Sequence, residues 1–305
     1  MAKKQNTPPF LINSISEMHD VFNMPKPKHP LVSVVNHNTT PMNTRKDIHN
    51  PIYNFYMICI KKNFDGTMKY GQTFYDFKEG AVSYISPGQV FGPNEVVNPK
   101  GWLFAFHADF LAGYPLSKTI KDYGFFSYET NEALHLSEQE EAVLENIMKS
   151  VETEYQINID KFSQDVMVAQ IELLLQYSNR FYNRQFITRK PTNDTILERL
   201  ENVLSAYFSN ENLAEKGLPT VQFVSEQLYV SPNYLSDMLR TITGQTTQQH
   251  IHSRLIDKAK ELLTTTTLSV REIAFHLGFE YPQSFNKLFK NKTKNSPLEY
   301  RKSFN

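Results

Sequence analysis

Histidine and cysteine are the residue types of this chain that could bind a metal ion or take part in catalysis, and their spacing favours neither role. An open metal site in a small β-barrel needs a His-x-His pair, a nearby Glu and a further His. His107 is the single histidine of the strand-rich region, and His250 and His252 share a helix on which residues two apart point in different directions. Cys59 lies in an apolar strand, where a thiol packs in the core more often than it reacts. We therefore predict no catalytic residue, no metal site and no cofactor.

Basic side chains are concentrated at the C-terminal end of the chain. Lys+Arg and Asp+Glu are 32 each, so the whole chain is neutral and only a local excess of charge is informative. Between Ser284 and Asn305, six basic residues face one acid, Glu299, which gives a local net charge of +5. The six are Lys287, Lys290, Lys292, Lys294, Arg301 and Lys302. A run of this kind is usually a solvated helix face, but beside the helix-turn-helix pattern described below it favours a surface that binds nucleic acid.

Polar side chains suited to reading bases occur in two groups in the same part of the chain. Asn and Gln can pair with adenine edges, and Arg and Lys with guanine. The first group is Asn233, Tyr234, Ser236, Asp237 and Arg240. The second group is Gln283, Ser284, Asn286, Lys287, Lys290 and Lys292, of which Lys290 and Lys292 are better placed for phosphate. Exposed polar residues occur on every helix, and Tyr234 could equally pack against a neighbouring helix.

The first group lies on the second helix of a predicted helix-turn-helix. A short helix ends near Leu228, and the chain then turns at Tyr229 and Val230. Ser231 and Pro232 suit the N-cap and first position of the next helix, and Gly244 suits its C-terminal end. The buried seam of this helix is predicted to be Leu235, Met238, Leu239 and Ile242.

The same design recurs about fifty residues later. A short helix over 268–277 ends at Gly278, and Pro282 opens a helix that is buried through Phe285, Leu288 and Phe289. The helix between the two units, 247–263, is about 25 Å long. Two recognition helices on such a spacer can lie in successive major grooves, roughly 34 Å apart on one face of a duplex.

These residues resemble the AraC/XylS-type bacterial transcription regulators over about residues 194–302. The resemblance rests on order and spacing, which are more specific than a single helix-turn-helix pattern. The matching segments are Leu228-Tyr229-Val230-Ser231-Pro232-Asn233-Tyr234-Leu235-Ser236 with Gly244, Ala259-Lys260-Glu261-Leu262-Leu263, Ile273-Ala274-Phe275-His276-Leu277-Gly278-Phe279, Gln283-Ser284-Phe285, Phe289-Lys290 and Ser296-Pro297-Leu298-Glu299-Tyr300-Arg301. Two residues depart from the family pattern: Lys294 replaces a helix-ending glycine, and Asp237 stands where a basic residue is common.

The resemblance implies a regulator of transcription initiation that binds double-stranded promoter DNA, with RNA polymerase as a further partner. It fits activation and repression of transcription equally. In family members of this length, the preceding region is often a cupin-like β-barrel that binds a small-molecule effector, followed by helices that pair two chains. We therefore expect a homodimer.

The pattern before residue 137 is independently that of a small β-domain. An irregular arm with one short strand near 31–35 precedes β-branched and aromatic runs at 55–60, 71–77, 81–85 and 102–107, which predict a sandwich or barrel. Its aromatic excess makes Tyr56, Tyr84, Trp102 and Phe104 candidates for an effector pocket, although the same rings could fill the core. A barrel without a ligand remains an alternative.

Two amphipathic helices follow this β-domain. Ser137 and Glu140 have capping-box spacing before the first helix, and the second runs over about 161–182. They could cover the barrel or form a dimer interface.

The predicted fold class is therefore an α+β multidomain chain. An N-terminal cupin-like β-barrel with trailing helices precedes a C-terminal all-α domain with two helix-turn-helix motifs joined by a linker helix. The boundaries are 1–136 for the sensor with its arm, 137–185 for the dimerisation helices, 186–193 for a linker in which Pro191 ends any preceding helix, and 194–305 for the DNA-binding domain.

The remaining composition fits a soluble, cytoplasmic protein with no membrane partner. No apolar run approaches the ~18 residues of a membrane span, and the N-terminus has no continuous apolar segment behind its lysines. One cysteine cannot form an internal disulfide. The rival from another functional class is a cupin enzyme with an appended helical module, which a stoichiometric bound transition metal would favour.

Overall fold

The computed structural model divides the chain into two units, Met1–Gln185 and Phe186–Asn305. It describes residues 10–40, 51–61, 67–70, 73–76, 80–91, 100–129, 132–157, 160–188, 190–209 and 213–304. Among these residues, no helix is long and apolar enough to cross a membrane.

The first unit combines short strands with one N-terminal helix and two long helices at its end. Its strands are β1 (Leu11–Ile12), β2 (Val32–Asn36), β3 (Ile52–Tyr53), β4 (Tyr56–Lys61), β5 (Thr67–Tyr70), β6 (Thr73–Asp76), β7 (Ala81–Ile85), β8 (Gly101–Phe106) and β9 (Leu134–His135). Its helices are α1 (Ile15–Val21), α2 (Leu116–Thr119), α3 (Glu138–Gln156) and α4 (Ser163–Thr188), with 3-10 turns at Ala108–Leu111, Ile120–Asp122 and Gly124–Ser127. The capping box of Ser137 and Glu140 opens α3 as predicted.

The main sheet has the strand order β2-β8-β4-β7-β9, with every neighbouring pair antiparallel. Directly paired residues share a face of a sheet. Ile58 in the central strand β4 is paired with Tyr84 of β7 and with Phe104 of β8, so these three side chains lie on one face. The opposite face carries Cys59, paired with Leu103 and Ser83. β1 pairs with β3 and β5 pairs with β6 in two separate two-stranded sheets.

Both faces of this sheet are covered. Ile15 and Met18 of α1 join one core cluster with Cys59 and Leu103, on the face that carries Cys59. His19 holds α1 in place, since its ring bonds the Pro25 carbonyl and, at 2.7 Å, the Ser33 hydroxyl in β2. Burial lowers the pKa of His19, so it packs as a neutral ring.

Aromatic rings cover the opposite face. Tyr84 packs on Phe125 and Phe126 of the last 3-10 turn and on Tyr182 of α4, and its hydroxyl donates to Ser178 in the same helix. The ring of Tyr84 therefore packs in the core of the first unit.

Three predictions for residues 1–193 are either not confirmed by the structure or differ from it. In the described residues the main sheet is open, with β2 and β9 at its edges, so a closed cupin-like barrel is not confirmed. The N-terminal arm is not irregular throughout, because it contains α1, whose N-cap Ser14 accepts from Glu17 N. The predicted linker 186–193 is helical where it is described: α4 continues to Thr188 because Phe186 is buried, and α5 begins at Lys190. Pro191 fits because a first helical turn does not need its missing N–H.

The second unit is entirely helical in its described residues. Its helices are α5 (Lys190–Phe208), α6 (Leu213–Lys216), α7 (Val221–Leu228), α8 (Pro232–Thr243), α9 (Thr247–Thr265), α10 (Val270–His276), α11 (Pro282–Thr293) and α12 (Pro297–Lys302). The pair α7–α8 and the pair α10–α11 are the two predicted helix-turn-helix units, and α9 is the predicted linker helix.

The two helix-turn-helix units repeat with an offset of fifty residues. Pro232 corresponds to Pro282, and the buried Leu235 and Leu239 correspond to Phe285 and Phe289. The next helices open alike, with capping boxes of Thr246 with Gln249 and of Ser296 with Glu299. Two copies of one local design therefore lie on either side of α9.

The ends of the recognition helices also correspond. Thr243 donates to the Leu239 carbonyl at 2.7 Å, and Thr293 donates to the Phe289 carbonyl at 2.8 Å. Gly244 and Lys294 then adopt left-handed backbones with φ of 73° and 68°. A lysine thus occupies a conformation that glycine adopts without a Cβ clash.

The turns inside the two helix-turn-helix units also differ in their left-handed residue, which is a tyrosine in the first and a glycine in the second. Tyr229 ends α7 with φ of 59° and a side chain that is 75% exposed. In the second turn the left-handed residue is Gly278, with φ of 84°, one position earlier than the offset of fifty would place it. A Cβ at this position would lie 2.8 Å from the backbone of Gly217. The second turn is therefore packed closely against the end of α6, whereas the side chain in the first turn points into solvent.

Replacing Lys294 by Gly should raise the free energy of unfolding by about 1 kcal/mol, because glycine relieves the left-handed strain. Urea denaturation of the full chain, followed by far-UV circular dichroism, measures the change. Gly244→Ala is the matched variant at the equivalent position and should lower stability by about the same amount. A loss of stability in Lys294→Gly would mean that contacts of the lysine side chain outweigh the strain.

Candidate nucleic-acid interface

Local sequence positions α8 with one apolar and one polar side. The Ser231 hydroxyl accepts from Tyr234 N at 3.2 Å, and Pro232 occupies the first helical position, as predicted. Leu235, Met238 and Leu239 are fully buried, while Ile242 at the end of the predicted seam is only half-buried. The opposite side of the helix, with Asn233 and Arg240, consequently faces solvent.

The five candidate residues of α8 are not equally accessible. Asn233 and Arg240 are exposed. Tyr234 is half-buried, and its ring packs edge-on against Phe186, the first residue of the second unit, at 5.2 Å between centroids. Ser236 is half-buried and shares a hydrogen bond of 3.0 Å with Thr247, the buried first residue of α9. Tyr234 and Ser236 therefore pack α8 within the domain, the role that the sequence left open for Tyr234.

Asp237 and Arg240 form an ion pair on the outer side of α8. The Arg240 Nη1 donates to Asp237 Oδ1 at 3.2 Å, with the side chains 60% and 31% exposed respectively. The sequence singled out both residues, but as separate contacts. Their spacing of three residues was the signal for a pair.

Every candidate residue of α11 is exposed. Phe285 and Phe289 are completely buried on the inner side of the helix and in ring contact with each other. Leu288, predicted in the seam, is half-buried. The exposed candidates on the outer side are Gln283, Ser284, Asn286, Lys287, Lys290 and Lys292.

The electrostatics of α11 are dominated by lysine. The one acid of the C-terminal segment, Glu299, is engaged as a helix cap: the Ser296 N–H donates to it at 2.7 Å and lowers its pKa, and the charge of Lys290 acts in the same direction. Lys292 contributes to lowering the pKa of His252 in α9, after the larger effect of burial. A positive potential therefore covers the exposed side of α11.

The helix α9 packs against both helix-turn-helix units. It contacts α5 and α8 as well as α10, α11 and α12. Arg301 fastens α12 to its end, since the guanidinium Nε donates to the Leu263 carbonyl at 3.0 Å. Arg301, counted among the basic residues of the C-terminal run, is thus half-buried and engaged in packing.

The four predicted pocket residues of the first unit lie on one face of the main sheet. The register puts Tyr56, Tyr84, Trp102 and Phe104 on this face, although Tyr56 alone is half-exposed. A cavity of about 10 Å³, the size of one water molecule, lies beside Tyr84 and is lined by rings together with Gln89 and Glu129. In the described part of the chain, the buried Trp102 Nε1 has no hydrogen-bond partner.

The residues that could have formed a catalytic or metal site are dispersed. Within the described ranges, no group of three or more His, Cys, Asp and Glu side chains could hold a metal ion. His107 accepts from Asp109 N and caps a 3-10 turn, and His250 bonds Thr243. Burial raises the pKa of Cys59 to about 11, which keeps its thiol protonated.

Comparison with known proteins places the strongest similarity in the second unit. A helix-turn-helix domain family matches residues 224–303. The HTH-type transcriptional regulator YijO of Escherichia coli is 33% identical over 28% of this chain and 30% of its own length. The regulatory protein SoxS of Salmonella typhimurium is 32% identical over 27% of this chain and 76% of its own length. Among solved structures, the C-terminal domain of the response regulator yesN from Fusobacterium nucleatum is 32% identical, with a TM-score of 0.30, over 34% of this chain and 95% of that domain.

The similarity to YijO covers only about a third of the length of that relative. SoxS, in contrast, is matched over three quarters of its length by the region that contains both helix-turn-helix units. The resemblance predicted from the motifs is thereby confirmed, and the chain belongs to the AraC/XylS family of helix-turn-helix regulators.

Proposed function

We propose that this protein is a sequence-specific DNA-binding regulator of transcription, which binds promoter DNA through α8 and α11. The observation that carries the proposal is the fifty-residue repeat, in which two helices that begin at a proline and have exposed polar sides are held by one linker helix. The proposal assigns no catalytic residue and no cofactor. It places the protein in the cytoplasm, where bacterial transcription occurs, with RNA polymerase as a partner at the promoter.

The two recognition helices are proposed to enter successive major grooves of one duplex. Gln283 and Asn286 are exposed on α11 and suit adenine edges, while Asn233 and Arg240 on α8 suit adenine and guanine. Lys287, Lys290 and Lys292 supply charge for the phosphates beside α11. Ser284 is exposed near the start of α11, where it can reach a base or a phosphate.

The first unit is proposed to be a cupin-like sensor domain for a small molecule. The proposed pocket is the aromatic sheet face with Tyr56, Tyr84, Trp102 and Phe104. The unpartnered Trp102 N–H supports it, because a buried donor without an acceptor is costly and an effector could supply one. Since the cavity beside Tyr84 has room for about one water molecule, an effector must displace packed rings to enter. A scaffold without a ligand is the alternative, and the filled core favours it.

The helices α3 and α4 are proposed to pair two copies of the chain. Arg184 of α4 joins the two helices, since its Nε donates to Glu140 Oε1 at 2.9 Å. Exposed apolar side chains recur along the outer side of α4 at Val166, Ala169 and Leu173, preceded by Phe162. Their spacing of four, three and four residues is that of a helix-pairing seam, and a second copy presents the same stripe to it.

The first prediction of this proposal concerns salt. Binding of the full chain to a duplex selected from a random pool should weaken with salt, with a log–log slope of several units. Lys290→Ala should make this slope shallower by about one, because one phosphate contact is lost. Fluorescence anisotropy at four salt concentrations measures both slopes. Lys118→Ala in the first unit is the control and should leave the slope unchanged, and salt-independent binding of the unaltered chain would contradict the proposal.

A second prediction separates reading from positioning. Gln283→Ala should change the preference among single-base variants of the selected duplex at one position, by about fivefold to a hundredfold. Binding to an unrelated duplex should be nearly unchanged, because this side chain is expected to touch bases and not phosphates. Competition binding with a panel of variant duplexes measures the preference. Equal weakening on every duplex would show that Gln283 positions the helix instead.

The third prediction concerns the dimer. Leu173→Glu should convert the full chain from dimer to monomer at about 10 μM, because the charge would be buried in the apolar seam. Sedimentation velocity measures the mass in solution. Asn179→Glu, at another exposed position of α4, is the matched control and should remain dimeric. If the unaltered chain sediments as a monomer at tens of micromolar, α3 and α4 only cover the sheet.

A further inference from the structure

The fifty-residue repeat allows the two recognition helices to be compared position by position. Asn233 corresponds to Gln283, and Arg240 corresponds to Lys290, so amide and basic groups recur at equivalent places. Asp237 corresponds to Lys287, and this pair alone among the candidates replaces one charge by its opposite.

The resulting difference in charge between the helices is large. The helix α11 carries Lys287, Lys290 and Lys292 without an acid, which gives a net charge of +3. In α8 the single basic residue, Arg240, is balanced by the single acid, Asp237, which gives a net charge of 0. Attraction to DNA phosphates therefore comes mainly from α11, whereas α8 contributes little of it.

The ion pair between Asp237 and Arg240 on its own contributes little to the stability of the fold. Exposed pairs of this kind contribute little to folding, because water screens them and two side chains lose freedom. Arg240 remains 60% exposed, and its Nη1 is held at 3.2 Å by the Asp237 carboxylate. The consequence of the pair is instead that Arg240 is oriented and partly neutralised on the side of α8 that faces solvent.

We propose that Asp237 is a specificity-determining residue, which holds Arg240 for a base contact and disfavours α8 on DNA that offers no base-edge donor to its carboxylate. The inference rests on the proposed function. A carboxylate is repelled by phosphates, but it accepts from the amino group of cytosine N4. On a matching sequence Asp237 gains this hydrogen bond while Arg240 reaches a neighbouring guanine. On any other sequence α8 gains neither contact, and α11 alone binds the phosphates.

The test uses two neutral variants at the equivalent positions of the two helices. Asp237→Asn keeps the shape of the side chain and removes its charge, which frees Arg240 for phosphate. On a scrambled duplex the affinity of the full chain should rise, and the salt slope should become steeper by about one. The ratio of affinities for selected and scrambled duplexes should fall by about tenfold. Lys287→Gln is the counterpart: its slope should become shallower by about one, with the ratio nearly unchanged.

The outcomes distinguish the inference from the proposed function. Asp237→Glu keeps the charge and should retain most of the discrimination, which a purely structural role of the aspartate would not predict. If Asp237→Asn leaves both the ratio and the slope unchanged while the unaltered chain selects its duplex, the inference is wrong and the proposed function stands. If the unaltered chain binds no duplex, both are wrong. Thermal melts of each variant identify any loss of folding. If Asp237→Asn does not fold, Asp237→Glu decides, and a loss of discrimination in this charged variant would contradict the inference.

Discussion

One buried stripe along α9 is the constraint on which the C-terminal half of the protein depends. Ile251, Leu255, Ala259 and Leu263 follow one another at intervals of four residues and are almost completely buried. Helices from both repeats pack on α9, so a single apolar seam holds α8 and α11 in a fixed relation. Both recognition helices pack directly on α9 and are not attached by a flexible loop alone. Little conformational entropy is therefore lost when both helices bind one duplex.

The first unit depends on a comparable arrangement around a sheet. Tyr84 shows how tightly it is built, since its ring meets three other aromatic rings and its hydroxyl donates to Ser178. Burial raises the pKa of Tyr84 and keeps the hydroxyl protonated for this bond. A sensing function in this unit therefore requires a rearrangement of the core. The hydrogen bond from Tyr84 to Ser178 would transmit such a rearrangement directly to α4.

The sequence predicted best the features that depend on neighbouring residues. Helix ends are local interactions, and Ser231 with Pro232, Gly244, and Ser137 with Glu140 were all recognisable as caps. The inner sides of α8 and α11 followed from apolar spacing, except at the half-buried Ile242 and Leu288, which lie near the ends or edges of the seams. The candidate interface could be predicted to this extent because a helix with a buried side must expose the other.

What the sequence analysis missed depends on distant contacts. The helix α1 is stabilised by the sheet face that it covers and by the bond between His19 and Ser33, neither of which is visible in a short window. Its capping serine, Ser14, three residues before Glu17, was nevertheless a usable signal. The closure of a barrel could not be judged from strand spacing, because pairing at the edges of a sheet is set by tertiary contacts. The hydrogen bond that ties the predicted contact residue Ser236 to Thr247 of α9 is likewise invisible in a short window.

The two inner turns have unequal freedom to change over generations. At position 278 the backbone of Gly217 occupies the space that any side chain would need, so an inherited substitution there would force α6 and the turn apart. At position 229 a side chain is already accommodated on a left-handed backbone, and its ring is largely exposed, with the Arg199 guanidinium 6.0 Å away, so other side chains fit there as well. Lineages descending from this protein can therefore diversify the first turn, whereas the second turn is restricted to glycine.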